Sequence, residues 1–360
     1  MKINFNAKAE QYKAHKESID KLLIQTLTHE EEETNYITSL EKHLSDYTQA
    51  KDVIVCNTQF NAFILLFMVL GLKSGDEVIT SPLSSGIAVQ AALFMGAKVI
   101  FVDVNNSDFT LDVEQVEDAI TERTKLIIPI SLFGNCADME SINALALQHD
   151  LCVIEDGAES FGSHYKGEKS CQLSKLATTS FFPTMPLHGF GNGAAIFIED
   201  EALRNRAREL RSQGKKEHRY VALGIEACMD QAQAGIVNFK LSIFDEEIKR
   251  RQVLAKRYDD ALKTSKLVLP TIDAKSNYAC YPVCLNNREK TVHVLKEQGI
   301  ETKQPFSAPL HLHTAFSFMD YTIGDFPVSE QLSHELLLLP LHAYMTHEQQ
   351  TEVIQALKAI

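Results

Sequence analysis

Between residues 50 and 156 the chain alternates short apolar runs with helical stretches, and this alternation restricts the fold more than any other feature. VIVC (53–56), EVIT (77–80), KVIFVDV (98–104), KLIIPISLF (125–133) and CVIED (152–156) are apolar on consecutive residues. Strands of that composition must be covered on both faces. Residues 59–72, 86–95, 112–121 and 138–148, which lie between them, carry helical patterns. The alternation predicts an α/β fold with a mainly parallel central sheet and helices on both faces. In such sheets ligands bind beyond the carboxyl ends of the strands, which singles out the acidic strand end Glu155-Asp156.

Two further runs, TTSFF (178–182) and AAIFIED (194–200), bracket a loop, and helices are expected over 201–213 and 229–264. The second is long enough to bridge two parts of the molecule or to cross a dimer. After about residue 265 the pattern changes to a strand in NYACYPVCL (277–285), a helix over 286–298, a Pro- and His-rich loop at 304–313 and a last helix over 347–359. The expected division is therefore a large domain over 1–264, with the N-terminal helices and the bridging helix, and a smaller C-terminal α/β domain over 265–360.

Composition removes several classes of function. With 35 basic and 48 acidic residues the net charge is −13, and no basic cluster offers a nucleic-acid footprint. The longest apolar run, 62–72, is far short of the roughly 20 residues of a membrane span. The polar, amphipathic start MKINFNAKAEQYKAHKESID is unlike a signal peptide. Seven scattered cysteines suit reduced, buried thiols, and the expected location is cytoplasmic. Cys280 and Cys284 face one side of their strand, but no second pair completes a zinc site.

The loop TTSFFPTMPLHGFGNGAA (178–195) is built like a working site. Pro183 ends a strand, and Gly189, Gly191 and Gly193 would let backbone approach a ligand. At its centre stands Met185, whose thioether neither transfers a proton nor forms an imine.

Three segments, ISLFGNCADM (130–139), VIEDGAESFGSHYKG (153–167) and TSFFPTMPLHGFGNGAAIF (179–197), resemble the DegT/StrS family. SGDEVIT (74–80), GAKVIFVDV (96–104) and LPLHAYMT (339–346) extend the resemblance over nearly the whole chain. The family's members are pyridoxal-phosphate (PLP) dependent aminotransferases of nucleotide-linked keto sugars. The resemblance implies an aspartate-aminotransferase-like dimer with a pocket shared between subunits, and points to enzymes that aminate UDP-linked sugars for bacterial surface polysaccharides.

Carried over position by position, the same resemblance implies a pocket that has lost its chemistry. The family's imine-forming lysine falls on Met185. Its Gly-Thr phosphate cradle falls on Gln59-Phe60, its ring-stacking aromatic on Gly86, and its glutamine near the ring oxygen on Glu159. The Asn-Ser-Arg segment that enters the neighbouring pocket falls on Glu226-Ala227-Cys228, and an expected histidine is absent from Gln304-Pro305-Phe306. Asp156 matches the aspartate that pairs with the pyridinium nitrogen, and Ser180 a serine near the phosphate. Each also has a structural reading, as a turn cap and as core.

Three groups keep chemical potential. His188 lies three residues past the lysine position, where an exposed loop histidine is the plainer reading. His311 and His313 lie in PLHLH, where the resemblance implies a turn touching the nucleotide sugar; as an i, i+2 pair they lack a third metal ligand. Lys215, Lys216, Arg219 and Tyr220, in GKKEHRY (214–220), match a basic segment that reaches the nucleotide diphosphate, or form a solvated helix–loop face. The expectation is a degenerate homologue without covalent PLP and without amino transfer, homodimeric, binding a nucleotide sugar or an active paralogue. Two alternatives stay open. One is PLP-independent chemistry on a nucleotide-linked sugar by Asp156, Glu159, His188 and Glu226. The other is amino transfer with non-covalent PLP.

Overall fold

The computed structural model of the chain describes residues 2–28, 35–263, 267–273 and 275–359. The apolar runs form a seven-stranded sheet from β1 (Val53–Cys56), β2 (Glu77–Thr80), β3 (Lys98–Phe101), β4 (Thr124–Ile128), β5 (Cys152–Asp156), β8 (Leu176–Ser180) and β9 (Ala194–Ile198). A short hairpin, β6 (His164–Tyr165) and β7 (Glu168–Lys169), lies outside it. The strand order is β1-β9-β8-β5-β4-β2-β3. Neighbours from β8 to β3 pair in parallel, and β9 runs antiparallel to both β8 and β1.

Three runs end sooner than expected. KVIFVDV stops as a strand at Phe101, and Val104 pairs only with Leu111. KLIIPISLF stops at Ile128 because Pro129 has no N–H for a ladder. TTSFF starts earlier, at Leu176, and stops at Ser180.

The helices are α1 (Lys8–Ala14), α2 (Lys16–Thr28), α3 (Tyr36–Thr48), α4 (Gln59–Leu70), α5 (Ile87–Phe94), α6 (Val113–Ala119), α7 (Met139–Gln148) and α8 (Glu201–Arg211). They are followed by α9 (Gln231–Leu262), α10 (Arg288–Glu297), α11 (Pro327–Glu335) and α12 (His347–Lys358). Residues 62–67 of α4 are all buried, because the helix lies between the sheet and helices α5 and α8. Thr58 starts α4 by accepting a bond from the Asn61 N–H at 3.1 Å. The first half of α9 packs on α2 and α3, and its last turns, Leu254 to Leu262, enter a second core with Ile3, Val283, Leu337 and Val353. At about 1.5 Å per residue its 32 residues span roughly 48 Å, enough to join the two cores.

The C-terminal part holds the antiparallel pair β12 (Tyr281–Cys284) and β13 (Leu336–Leu339). The boundary expected at 264/265 lies outside the described residues. Two segments cross between the cores. Ile3 bridges to Ile300, and Leu310, Phe316 and Phe326 pack into the α4–α5 core. GKKEHRY corrects an expectation: it forms a hairpin of β10 (Lys215–Lys216) and β11 (Arg219–Tyr220), because residues 217–218 turn the chain back and Gly214 at φ 68 starts it. Among the described residues no helix is long and apolar enough to cross a membrane.

Candidate functional site

The parallel pairing of β5 with β8, in register Asp156↔Thr178, brings Asp156 and the loop after Ser180 to the same sheet edge. That edge is the carboxyl end, where such folds bind ligands. The N-terminus of α4 arrives there too. Gln59, its first residue, is buried, and its Nε2 donates to Asp156 Oδ1 at 2.7 Å. The Ala158 N–H donates to the same oxygen at 3.1 Å, so Asp156 also caps the following turn. Burial raises Asp156 to about 6, against which these two donors pull down. Glu159, half-buried, accepts from the Phe133 N–H at 2.6 Å. Burial raises it to about 7, with a further push from the Asp156 charge. Glu155 belongs to another environment: it accepts from Ser170 Oγ at 2.7 Å and from the Cys171 and Leu173 N–H groups, and burial takes it to about 7.

The other pocket positions are filled from within the chain. The Phe60 ring packs edge-on to Phe94, with centroids 6.0 Å apart. Gly86 precedes α5 with φ 77, and a Cβ built there would lie 3.2 Å from Leu310 Cδ2, so Leu310 occupies that side. Ser180 Oγ accepts from the Phe182 N–H at 3.2 Å, which holds the turn into the loop. The loop glycines admit a side chain of α9 close to the loop backbone. Gln233 Oε1 accepts from the Phe190 and Gly191 N–H groups at 2.8 Å each, and a Cβ on Gly189 would meet that oxygen at 2.6 Å. Met185 is half-buried, its N–H donating to Phe182 O at 2.9 Å.

The histidines also differ from expectation. His188 is not an exposed loop residue. Its Nδ1 lies 3.0 Å from Met185 O, and burial, reinforced by the nearby Lys240 charge, lowers it to about 3, which makes it a poor base. His311 is buried with Nε2 3.1 Å from Glu330 Oε1, and His313 Nε2 is 3.1 Å from Ala308 O. The two rings take separate partners and do not converge as ligands. Among the described residues no group of three or more His, Cys, Asp or Glu could hold a metal. Lys215, Lys216, Arg219 and Tyr220 are exposed on their hairpin, with Lys215 Nζ 5.1 Å from the Tyr220 ring centre. Glu226 is exposed and accepts from Gln213 Nε2 at 2.8 Å on its own chain.

Two buried cations on α9 were not singled out in the sequence. Lys240 and Arg251 lie on the face that buries Val237, Leu241, Phe244 and Ile248. A charge at an apolar position of a helical stripe was the available signal. Lys240 Nζ has no hydrogen-bond partner among the described residues, lies 4.7 Å from the Phe190 ring centre, and is lowered to about 7 by burial. Arg251 lines a cleft of ≈ 80 Å³ together with Met185, His188, Lys8, Lys303 and His342. That volume is below the roughly 300–1,000 Å³ of typical cofactor and substrate sites.

Known proteins answer to this arrangement. The sequence model of the DegT/DnrJ/EryC1/StrS aminotransferase family matches residues 13–358. The chain is 38% identical over 312 residues, 86% of each protein, to the UDP-2-acetamido-2-deoxy-3-oxo-D-glucuronate aminotransferase of Pseudomonas aeruginosa PAO1. It is 35% identical to a pleiotropic regulatory protein of Geobacillus stearothermophilus, over 89% of this chain and 88% of that one. Its structure superposes on S. venezuelae DesV, solved in complex with a ketimine intermediate, with TM-score 0.94 and 26% identity, covering 99% of this chain and 98% of that one. A DegT DnrJ EryC1 StrS aminotransferase from Brucella abortus superposes with TM-score 0.93 and 29% identity over 99% of both chains. The mainly parallel sheet is thus the aspartate-aminotransferase-like architecture of these sugar aminotransferases.

Proposed function

The chain belongs to the DegT/DnrJ/EryC1/StrS aminotransferase family, and from that premise we propose that it has given up PLP-dependent amino transfer while keeping the fold. The observation that carries the reading is the 2.7 Å bond from Gln59 Nε2 to Asp156 Oδ1. The aspartate that would pair with a pyridinium nitrogen is engaged by a side chain of the phosphate-cradle position. The residues present do not fit the cofactor in other respects. Met185 offers no amine, Phe60 no hydroxyl, and Leu310 stands over Gly86 where a stacked ring face is wanted. Glu159 adds a second, half-buried carboxylate near Asp156. The relatives named as transaminases argue for retained activity; the residue at the imine position argues against it.

What the chain keeps, on this reading, is a homodimer that holds a nucleotide-linked sugar. Lys215, Lys216 and Arg219 on the exposed hairpin would meet the diphosphate through charge-assisted bonds, and Tyr220 a ring or ribose. An active paralogue is the alternative partner for the same surface. The test is an amino-transfer assay with a nucleotide-linked keto sugar, glutamate and added PLP, run beside a binding titration of the same sugar. The expected result is binding without product, and amino-sugar product would refute the proposal.

A second reading rests on the neighbouring carboxylates Asp156, buried, and Glu159, half-buried. Asp156 near 6 and Glu159 near 7 are poised to exchange protons close to neutrality. Such a pair supports PLP-independent acid–base chemistry on the sugar. It requires turnover of a nucleotide-sugar panel that Glu159→Gln abolishes; turnover indifferent to that change would remove it.

A further inference from the structure

The cleft beside Met185 carries more positive charge than its own carboxylate can balance. Arg251 forms part of its wall and is 6% exposed. Its Nε donates to Asn277 O at 2.8 Å, but Nη2 is buried without a partner, and Arg251 makes no ion pair among the described residues. A guanidinium does not escape burial by losing its proton, so an acceptor is owed at Nη2. Glu247, also in the wall, is the carboxylate whose charge faces Arg251, and its Oε1 already accepts from Gln11 Nε2 at 2.9 Å and from Tyr344 OH at 2.7 Å. Lys8 and Lys303 stand exposed at the rim, Lys303 Nζ lying 4.7 Å from the Phe5 ring centre.

The same wall offers bare acceptors. Met185 O can only accept, so His188 Nδ1, 3.0 Å from it, carries the ring's proton. Nε2 is then an unprotonated lone pair, buried and without a donor. His342 Nδ1 is buried and unpartnered in the same wall. The site thus has a surplus of cationic donors and two ring nitrogens, with His188 asking for a hydroxyl donor. A room of ≈ 80 Å³ holds about five water-sized groups.

We infer that this cleft binds a small hydroxylated anion, held by the Arg251 guanidinium and the Lys8 and Lys303 ammoniums, with a hydroxyl donated to His188 Nε2. Hydrogen phosphate and a short 2-hydroxycarboxylate share that chemistry. The site goes beyond the loss of amino transfer: it shares Met185 with that reading but uses none of Gln59, Asp156 and Glu159.

The experiment is calorimetric titration of the full chain, freed of phosphate, with inorganic phosphate, with glycolate and with acetate. The expected result is saturable binding of phosphate, glycolate or both, with glycolate at least several-fold tighter than acetate. Arg251→Met should weaken it by about tenfold or more, and the double change Lys8→Met, Lys303→Met by a few-fold. Arg251→Lys, which keeps the charge but loses the fork, should fall between wild type and Arg251→Met. Should Arg251→Met fail to fold, the rim double variant decides, because both of its positions are exposed. No saturable binding of phosphate or glycolate up to about 10 mM overturns the site. So does binding that the rim variant leaves unchanged. Acetate binding as tightly as glycolate would overturn the hydroxyl contact at His188.

Discussion

Replacing Asp156 by asparagine separates a vacated pocket from a working one. Asp156 is raised from 3.8 to about 6, chiefly by burial. Between those two values the folded chain holds a proton that the unfolded chain has released. Its contribution to stability is therefore fully present below about pH 4, is lost as pH rises through 6, and stays lost above. A shift of roughly two units corresponds to about 3 kcal/mol at neutral pH. Asparagine does not ionise, and its Oδ1 can still accept from Gln59 Nε2 and the Ala158 N–H, now at 2.7 and 3.1 Å from the carboxylate. Asp156→Asn should therefore raise the unfolding free energy by about 1–3 kcal/mol near pH 8, with the difference closing toward pH 4. The assay is urea unfolding followed by circular dichroism at both pH values. A variant less stable than wild type near pH 8 would refute the reasoning, because the charged carboxylate would then be holding a cation in the native protein. An equal gain at both pH values would move the effect from ionisation to packing.

Other perturbations test neighbouring parts of the account. Met185→Lys alone should restore neither a near-visible PLP band nor amino transfer, because Gln59 still engages Asp156; recovered activity in a coupled assay would show the remaining positions to be compatible with the cofactor. Glu41→Gln should cost about 2 kcal/mol in thermal unfolding, since Glu41 accepts from Arg208 Nη1 and Arg211 Nη1 at 2.7 Å each and the partial exposure of Arg208 moderates the loss. Gly134→Ala should destabilise by about 2 kcal/mol or more by the same measurement. Its φ is +93, and a Cβ would lie 2.5 Å from Asn277 Oδ1 and 2.6 Å from Ser276 Oγ.

The sheet was legible in the sequence because parallel strands are covered on both faces and show as unbroken apolar runs. VIVC, EVIT and CVIED coincide with β1, β2 and β5. Strand ends were less legible: Pro129 marked one, whereas nothing local marked Phe101, after which the chain leaves the ladder. At the site, sequence spacing placed Asp156 at a strand end but could not pair it with Gln59, 97 residues away, because that contact depends on how α4 docks over the sheet. The loop glycines suggested backbone approach to a ligand, and their true neighbour, Gln233, lies on a helix remote in sequence. The lowering of His188 owes part to the charges of Lys240 and Lys8, neither of which a loop pattern shows. Lys240 and Arg251 were visible as charges on an apolar stripe, the type of local conflict that marks a functional or strained position.

The most direct test of the central claim is to incubate the purified native chain with PLP, desalt it, and record its near-visible absorbance. A pocket that has given up the cofactor leaves a spectrum without a cofactor band and loses PLP fully on desalting. A band that survives desalting, and that Asp156→Asn abolishes, would contradict the claim.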